Sequence, residues 1–308
     1  MYVTGIDENG LGPRLGPMTT TAVTLSLSGR YDAGRLARRG LACGVTDSKA
    51  TASSRRMAFA ESVSLALIEL GTKAIPGLAS EVAAGLHLDG GLGLVAPCPD
   101  GSTKAMCHGH DLRIPAFGGD RAEGHATLRP LLTGRGAMRI EGVRSVVNCA
   151  NVLNRAHAEG RNKLVLDLAA MERLTLAAAR QVGEHTVIAG MIGGIRDVPK
   201  FASFVPRDAF APQEETRSRR SYAIDGVGSL SFEVDADATH LPVALASIVG
   251  KYLRELGMAR IVGFHREHDP GLSIPSGYHD PVTGRFVSAS EPIRRRLAIA
   301  AECFERVG

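Results

Sequence analysis

The first 28 residues constrain the fold most, because they predict two β-strands joined by a glycine-rich connection. A short apolar run at residues 2–7 is followed by Gly10, Gly12 and Pro13, which break the regular pattern. Between residues 20 and 28, apolar side chains alternate with threonine and serine. That alternation is typical of a strand with one buried and one solvated face. The chain is therefore expected to open with two neighbouring strands, the second of them half-buried.

Two adjacent carboxylates, Asp7 and Glu8, stand at the end of the first predicted strand. Neighbouring side chains in a regular strand point to opposite faces, so this pair can share a metal ion only where the strand ends. Gly10 marks that end. Two carboxylates followed by the exposed amides of a Gly-x-Gly loop suit hard divalent cations and a phosphodiester. The motif alone leaves a second interpretation open, a turn with two solvated acids.

Apolar periodicity predicts further elements along the chain. A helix capped by Ser53 or Ser54 is expected to end at Gly71, and a helix that begins near Arg161 is expected to end at Gly183. The remaining predicted elements are strands at residues 186–192 and 229–234, a helix from Pro242 to about Gly257, and a last helix at residues 290–307.

Residues 75–143 differ from their surroundings, because glycines are frequent there and periodicity is weak. We interpret this stretch as an insertion or flap with some structure of its own. It is expected to lie within a single domain that spans residues 1–308.

Length and composition allow one large α/β domain or a core domain with an appendage, in a protein expected to be soluble. The 308 residues are 44% hydrophobic, which is enough for one large domain. A formal net charge of +4 permits a polyanionic partner without requiring one. No segment resembles a membrane span or a secretory signal, and five scattered cysteines do not suggest a disulfide framework. Together these features predict a cytoplasmic location.

Several short motifs resemble ribonuclease HII when they are taken in order. The string Gly5-x-Asp7-Glu8-x-Gly10-x-Gly12-Pro13-x-x-Gly16-Pro17 closely resembles the opening of that family. The later motifs are Asp47-Ser48-Lys49, Asn162-Lys163, Asp237 followed by Ala246-Ser247-Ile248-Val249-Gly250-Lys251, then Arg254-Glu255 and Gly277-Tyr278. They cover most of residues 1–70 and 150–285 and leave the middle segment unmatched. Collinear motifs at consistent spacing are more specific than any one of them.

This resemblance implies an α/β, ribonuclease-H-like fold, a mixed sheet flanked by helices, with a C-terminal helical extension. It implies hydrolysis of RNA strands paired to DNA, in a hybrid or in a duplex that contains ribonucleotides, using two Mg²⁺ or Mn²⁺ ions. The implied catalytic metal ligands are Asp7, Glu8 and Glu255, the last in place of a helix-borne aspartate of the family. The implied substrate-binding residues are Gly10, Leu11, Gly12, Pro13, Lys49, Lys251 and Tyr278.

The residues themselves give Glu255 a second interpretation. It lies on a polar helical stripe with Ser247 and Lys251. A solvated glutamate on an amphipathic helix fits that position as well as a metal ligand does.

Two positions depart from the family pattern. The central strand of the family ends in an aspartate where this chain has Gly190, and Asp197 follows only seven residues later. Leu11 replaces an arginine that the family places beside the ribose 2′-hydroxyl. These changes support a second hypothesis, a nucleic-acid-binding relative with little or no hydrolysis. A structural or interaction protein on the same scaffold is a third.

Other residue clusters carry weaker signals. The spacing of Cys98, Cys107, His108 and His110 does not match a familiar zinc knuckle, so we do not expect zinc there.

His265 and His268 are expected to be loop residues rather than ligands. The cluster of Arg217, Arg219 and Arg220 suits either phosphate contacts or a solvated run of charges.

Overall fold

A seven-stranded mixed sheet forms the centre of the protein. The computed structural model describes residues 1–45, 54–89, 106–107, 109–134 and 136–307. The strands within this part of the chain are β1 (Tyr2–Asn9), β2 (Met18–Leu27), β3 (Met138–Asn148), β4 (His185–Gly190), β5 (Ala211–Glu215), β6 (Arg219–Ile224) and β7 (Gly228–Glu233). Their order is β3-β2-β1-β4-β7-β6-β5. Strand β1 pairs in parallel with β4, β4 pairs in parallel with β7, and the other pairs are antiparallel.

Helices cover both faces of this sheet. They are α1 (Ala33–Ala42), α2 (Ser54–Thr72), α3 (Ala79–Leu86), α4 (Arg121–Leu132), α5 (Ala150–Ala158), α6 (Lys163–Val182), α7 (Val198–Phe201), α8 (Ala236–Thr239), α9 (Leu241–His268), α10 (Pro281–Ala289), α11 (Glu291–Arg296) and α12 (Ala301–Phe304). The predicted α/β class, a mixed sheet flanked by helices, is confirmed.

Two apolar cores lie on opposite faces of β1. Helices α2 and α9 pack over one face, around Val3, Val23 and Leu25. Helix α6 packs over the other face, around Ile6 and Ala22. A third apolar cluster joins the C-terminal half of α9 to α10, α11 and α12.

Strand β2 is buried on both faces, so the prediction of a half-buried strand was wrong. Thr20, Thr21 and Thr24 are buried along with the apolar residues between them. The reason is that β2 lies between β1 and β3, with α9 on one side and α6 on the other. Hydrogen bonds between hydroxyls, such as that between Thr4 and Thr24 at 2.9 Å, satisfy these buried polar groups.

Helix α9 continues 11 residues beyond the predicted end at Gly257. A Cβ atom on Gly257 would lie 2.8 Å from Cγ of Pro17, so the glycine permits close packing instead of ending the helix. The predicted last helix is also corrected. Residues 290–307 contain the two short helices α11 and α12, separated at Ala298, which has a φ of +48°.

The described part of residues 75–143 packs into the same core as the rest of the chain. Helices α3 and α4 and the start of β3 contribute to the apolar cluster around α2 and α9. Strand β3 pairs with β2 along its length. That this segment is an insertion stays a prediction. Of the helices in the described ranges, none has both the length and the apolar character required to cross a membrane.

Candidate active site at the end of strand β1

Asp7 and Glu8 lie near the end of β1, on opposite faces of the sheet. Asp7 stands across from Thr21 of β2, and Glu8 stands across from Thr20. Because neighbouring strand residues alternate between faces, α9 covers the face of Asp7 and α6 covers the face of Glu8. Two different helices therefore bring side chains to this strand end.

On the α9 face, the hydroxyl of Ser247 approaches the Asp7 carboxylate. Burial raises the pKa of Asp7 to about 8, Ser247 opposes the rise, and the carboxylates of Asp237 and Glu8 add to it. Ser247 is fully buried, and within the described part of the chain its hydroxyl lacks a partner with good hydrogen-bond geometry. Ser247 is therefore part of the site, and not of a solvated stripe with Lys251 and Glu255.

On the α6 face, Asp167 lies beneath Glu8. The hydroxyl of Thr20 donates a hydrogen bond of 2.9 Å to Asp167. Asp167 is 2% exposed. Burial raises its pKa well above the ordinary value, and the carboxylates of Glu8 and Asp7 raise it further. The pKa of Glu8 is raised by its own burial and lowered by Arg306, Arg254 and Lys163. Asp7, Glu8 and Asp167 therefore lie close enough at this strand end for their negative charges to repel one another.

Asp237 reaches the same site from the short helix α8, and its carboxylate raises the pKa of Asp7.

Gly190 lies at the end of β4, immediately beside Asp7. A Cβ atom on Gly190 would lie 3.2 Å from Oδ1 of Asp7. The position at which the family resemblance expects an aspartate is therefore adjacent to Asp7, and it carries no side chain here.

Glu255 lies one residue after Arg254 on α9 and forms an ion pair with it. The Arg254 side chain is buried, and its guanidinium lies 5.0 Å from the ring centre of Tyr278. Tyr278 is half exposed. The structure thus joins Arg254, Glu255 and Tyr278 in one group, while Lys251 lies partly buried one turn earlier. A metal-binding role for Glu255 stays a prediction.

The glycine-rich loop after β1 is held by the C-terminal end of the chain. Gly10 has a φ of +93°, and a Cβ atom there would lie 2.8 Å from the carbonyl oxygen of Pro17, so only glycine fits. Arg306 donates to the carbonyl oxygens of Gly10, Pro13 and Gly16. Leu15 forms a β-bridge with Glu305. Residues 290 or more positions apart therefore build the loop together.

The side chains of this loop differ in their surroundings. Leu11 is partly buried and packs against an apolar cluster that includes Leu153 and Leu166. Gly12 is exposed, and a Cβ atom there would meet no other atom within 4 Å. Lys49, the remaining predicted substrate-binding residue, lies outside the described residues.

A basic groove opens beside Glu8. It has a volume of about 390 Å³ and is lined by residues of α5, the start of α6 and the C-terminal tail. Lys163 and Arg306, which lower the pKa of Glu8, both line it. The acidic cluster and the basic groove are therefore neighbours.

Solved ribonuclease H chains are structurally similar to this protein. Ribonuclease H2 from Pyrococcus horikoshii OT3 is 13% identical over 99% of this chain and 92% of that one, with a TM-score of 0.47. RNase HII from Archaeoglobus fulgidus, solved in a complex with PCNA, is 16% identical over 100% of this chain and 94% of its own, with a TM-score of 0.45. Bst-RNase HIII, solved with Mn²⁺, is 12% identical over 95% of this chain and 71% of its own, with a TM-score of 0.46. Neither a family model nor a curated protein matches the sequence.

The donor chemistry of the strand end fits a hard divalent cation. Asp7, Glu8, Asp167 and Asp237 offer carboxylate oxygens, the ligands that Mg²⁺ and Mn²⁺ prefer. Among the described residues, no three His, Cys, Asp or Glu side chains converge closely enough to enclose a metal ion. An open arrangement is compatible with Mg²⁺, which is typically bound by one or two carboxylates together with water and phosphate oxygens.

Sequence reasoning missed Asp167 as a site residue, although a signal was present. Asp167 falls at the spacing of the apolar stripe of α6, between Leu164, Leu168 and Met171. An acid on the buried face of a helix requires a partner or a function. Asp237 was noted only as part of a motif, without a catalytic role.

Two arginines of the cluster at residues 217–220 have partners within the protein. Arg219 pairs with Glu214 and Glu233 at the sheet edge, and Arg220 donates to the carbonyl oxygen of Ile195 at 3.1 Å.

His265 and His268 lie in α9, so the prediction that they are loop residues was wrong. His265 is buried and bonded to the carbonyl of Ile261. His110 pairs with Glu267 at 2.6 Å. Cys98 and His108 lie outside the described residues, so the expectation of no zinc stays a prediction.

Proposed function

We propose that this chain is a metal-dependent endonuclease that hydrolyses the RNA strand of RNA–DNA hybrids. The observation that carries the proposal is that Asp7 and Glu8, near the end of β1, lie close to the buried Asp167 of α6, so that three carboxylates share one end of the strand. This acidic set borders a groove lined by Lys163 and Arg306. Phosphodiester hydrolysis of this type uses carboxylates that bind a metal ion, with basic side chains close by that bind the phosphate.

Each residue has a chemical task in this proposal. Asp7 and Glu8 hold Mg²⁺ or Mn²⁺, assisted by Asp167 and Asp237. When bound, the divalent ions supply activation of the attacking water and stabilisation of the leaving oxygen. The nearby hydroxyl of Ser247 lowers the pKa of Asp7 and so favours the charged form that binds a cation.

The loop at residues 10–13 and the side chain of Tyr278 suit the remaining contacts to nucleic acid. Tyr278 offers a half-exposed ring backed by the Arg254 guanidinium. Such a ring can stack against a sugar or a base. The open backbone at Gly12 permits close approach of the sugar-phosphate chain.

Gly190 leads us to propose weak hydrolysis that is stronger in Mn²⁺ than in Mg²⁺. Without a carboxylate beside Asp7 on β4, coordination on this side depends more on water and substrate oxygens. Mn²⁺ tolerates such a site better, because it binds oxygen ligands more tightly and its geometry is less strict.

A second candidate function is nucleic-acid binding without hydrolysis. The same residue, Gly190, favours it, because the strand end beside Asp7 lacks a side chain. The retained acids at positions 7, 8, 167 and 237 favour the enzyme.

Cleavage assays separate the two functions. Purified protein is incubated with labelled RNA–DNA hybrid and with duplex DNA containing one ribonucleotide, in Mg²⁺ and separately in Mn²⁺. We expect slow cleavage of the hybrid in Mn²⁺, abolished by Asp7→Asn. Binding of the hybrid with no cleavage in either metal would establish the second function instead.

A further inference from the structure

A second feature of the site is the basic groove whose lining residues Lys163 and Arg306 both lower the pKa of Glu8. Its walls are the end of α5, the first residues of α6 and the C-terminal tail. The lining residues with polar side chains are His157, Arg161, Asn162, Lys163 and Arg306. The positive charges come from two parts of the chain that are more than 140 residues apart.

Arg306 is buried in the wall of this groove, with a relative exposure of 8%. Its Nε and Nη1 donate to backbone carbonyls of the glycine-rich loop, whereas its Nη2 has no hydrogen-bond partner among the residues that the structure describes. A buried guanidinium with one unsatisfied nitrogen is unfavourable unless an acceptor arrives. An anion in the groove would provide that acceptor.

The start of α6 contributes to the same wall. This helix has 20 residues, so the positive end of its dipole faces the groove at Asn162 and Lys163. Asn162 caps the helix by accepting from the backbone N–H of Leu164 at 3.0 Å. Arg161 is exposed and pairs with Glu159 at 3.2 Å, so an anion would compete with that carboxylate for Arg161.

Leu11 connects this groove to the glycine-rich loop. The side chain of Leu11 packs against a cluster that includes Leu153, and Leu153 also lines the groove. The side chain of Leu11 therefore adds apolar surface, and no charge, next to this groove.

We propose that the groove between the start of α6 and the C-terminal tail binds a phosphodiester of the nucleic-acid backbone, with Arg306 and Lys163 supplying the charge that Leu11 does not. This subsite rests on the proposed function for the identity of its ligand. It makes the last residues of the chain part of the substrate-binding surface.

Binding measurements in the Asp7→Asn background test this subsite without interference from cleavage. The probe is a fluorescent RNA–DNA hybrid, titrated by anisotropy at a series of KCl concentrations. Lys163→Gln should reduce affinity roughly tenfold, as expected for one charge-assisted contact, and should reduce the salt slope by about 1. Arg180→Gln is the matched control, because this exposed arginine lies on the same helix about 25 Å away.

Arg306→Lys tests the tail, with thermal unfolding as a check on the fold because Arg306 also holds the loop. It should weaken binding more than Arg180→Gln does. If Lys163→Gln retains the affinity and salt slope of its parent, or if the parent binds no nucleic acid, the subsite is wrong. If the wild type cleaves hybrid but Lys163→Gln does not change binding, the subsite proposal is wrong and the nuclease proposal stands. If binding depends on Lys163 but the wild type cleaves nothing, the nuclease proposal is wrong and the subsite proposal stands.

Discussion

A Cβ atom on Gly190 would lie 3.2 Å from Oδ1 of Asp7, so the position without a side chain at the end of β4 directly faces an acid whose pKa is raised to about 8. The contact is close but open to adjustment, since the neighbouring atom is the end of a side chain. Gly190 does not have a positive φ, so its backbone conformation suits other residues. An aspartate can therefore be accommodated there, next to Asp7.

Gly190→Asp should increase hydrolysis of hybrid in Mn²⁺ by at least about tenfold, which corresponds to a barrier lowered by ~1.4 kcal/mol. The new carboxylate would give the metal ion a ligand from β4, the strand beside Asp7, which supplies none in the wild type. In EDTA the same variant should be less stable, because another negative charge is placed beside Asp7.

The matched control is Gly193→Asp, three residues further on. A Cβ atom there meets nothing within 4 Å and Gly193 is exposed, so activity and melting temperature should not change. A folded Gly190→Asp protein that binds hybrid and cleaves none of it would favour the binding function.

Asp7→Asn should stabilise the metal-free protein in a pH-dependent way. The pKa of Asp7 rises from 3.8 to about 8 on folding. Between these values the folded protein keeps a proton that the unfolded chain has released, so stability falls as pH rises through this window. The variant removes that penalty, and its melting temperature should exceed that of wild type by about 4 °C at pH 8 or above.

The difference between the two proteins should be smallest near pH 4, close to the unfolded-state pKa of 3.8, because nearly all of the penalty accumulates as the pH rises above that value. Asp208→Asn, a change at an exposed carboxylate, should show no such pH dependence. Melting curves in EDTA from pH 4 to 9 provide the measurement. A variant that is less stable than wild type at pH 8 would mean that Asp7 has a structural partner.

Asp167→Asn and Glu172→Gln should have opposite effects on stability, although both acids are buried on α6. Glu172 accepts hydrogen bonds from the backbone N–H groups of Ser203, Phe204 and Val205, so its charge is satisfied. Glu172→Gln should lower the melting temperature. Asp167 has a raised pKa and accepts a hydrogen bond from the hydroxyl of Thr20, a neutral donor, so Asp167→Asn should raise the melting temperature at pH 8.

Asp167→Asn should also weaken the binding of Mn²⁺, measured by its paramagnetic effect on water relaxation. Glu172→Gln should leave that binding unchanged as long as the protein is folded. If Asp167→Asn binds Mn²⁺ as tightly as wild type, Asp167 is a buried structural acid and takes no part in holding the metal.

The sequence predicted those elements whose periodicity agrees with their packing. Strands β1 and β7 and helix α6 were placed within a few residues, because glycines or caps mark their ends. Helix α9 was predicted too short. Gly257 resembles a helix end, but its role is to pass close to Pro17, a contact between residues 240 positions apart.

The site was predicted only in part, for a related reason. Asp7 and Glu8 are adjacent in sequence, so a local motif reveals them. Asp167 and Arg306 reach the same strand end from α6 and from the C-terminal tail. No local sequence pattern links Asp167 and Arg306 to Asp7 and Glu8. They come together only because α6 and the C-terminal tail pack against β1 and the loop that follows it.

Asp237→Asn should reduce hydrolysis more than Glu255→Gln does. Asp237 lies close enough to Asp7 to raise its pKa, whereas Glu255 is paired with Arg254. Removing the Asp237 charge lowers the negative potential at Asp7, which weakens the hold on a divalent cation and should lower the rate by about 10²-fold, or ~2.7 kcal/mol in the barrier. Glu255→Gln leaves that potential in place and frees Arg254, so a loss below about tenfold is expected. Initial rates on labelled hybrid in Mn²⁺, with hybrid affinity measured in parallel, compare the two variants directly. A larger loss for Glu255→Gln at unchanged hybrid affinity would restore Glu255 as the helix-borne ligand implied by the sequence motif and would assign Asp237 a purely structural place in α8.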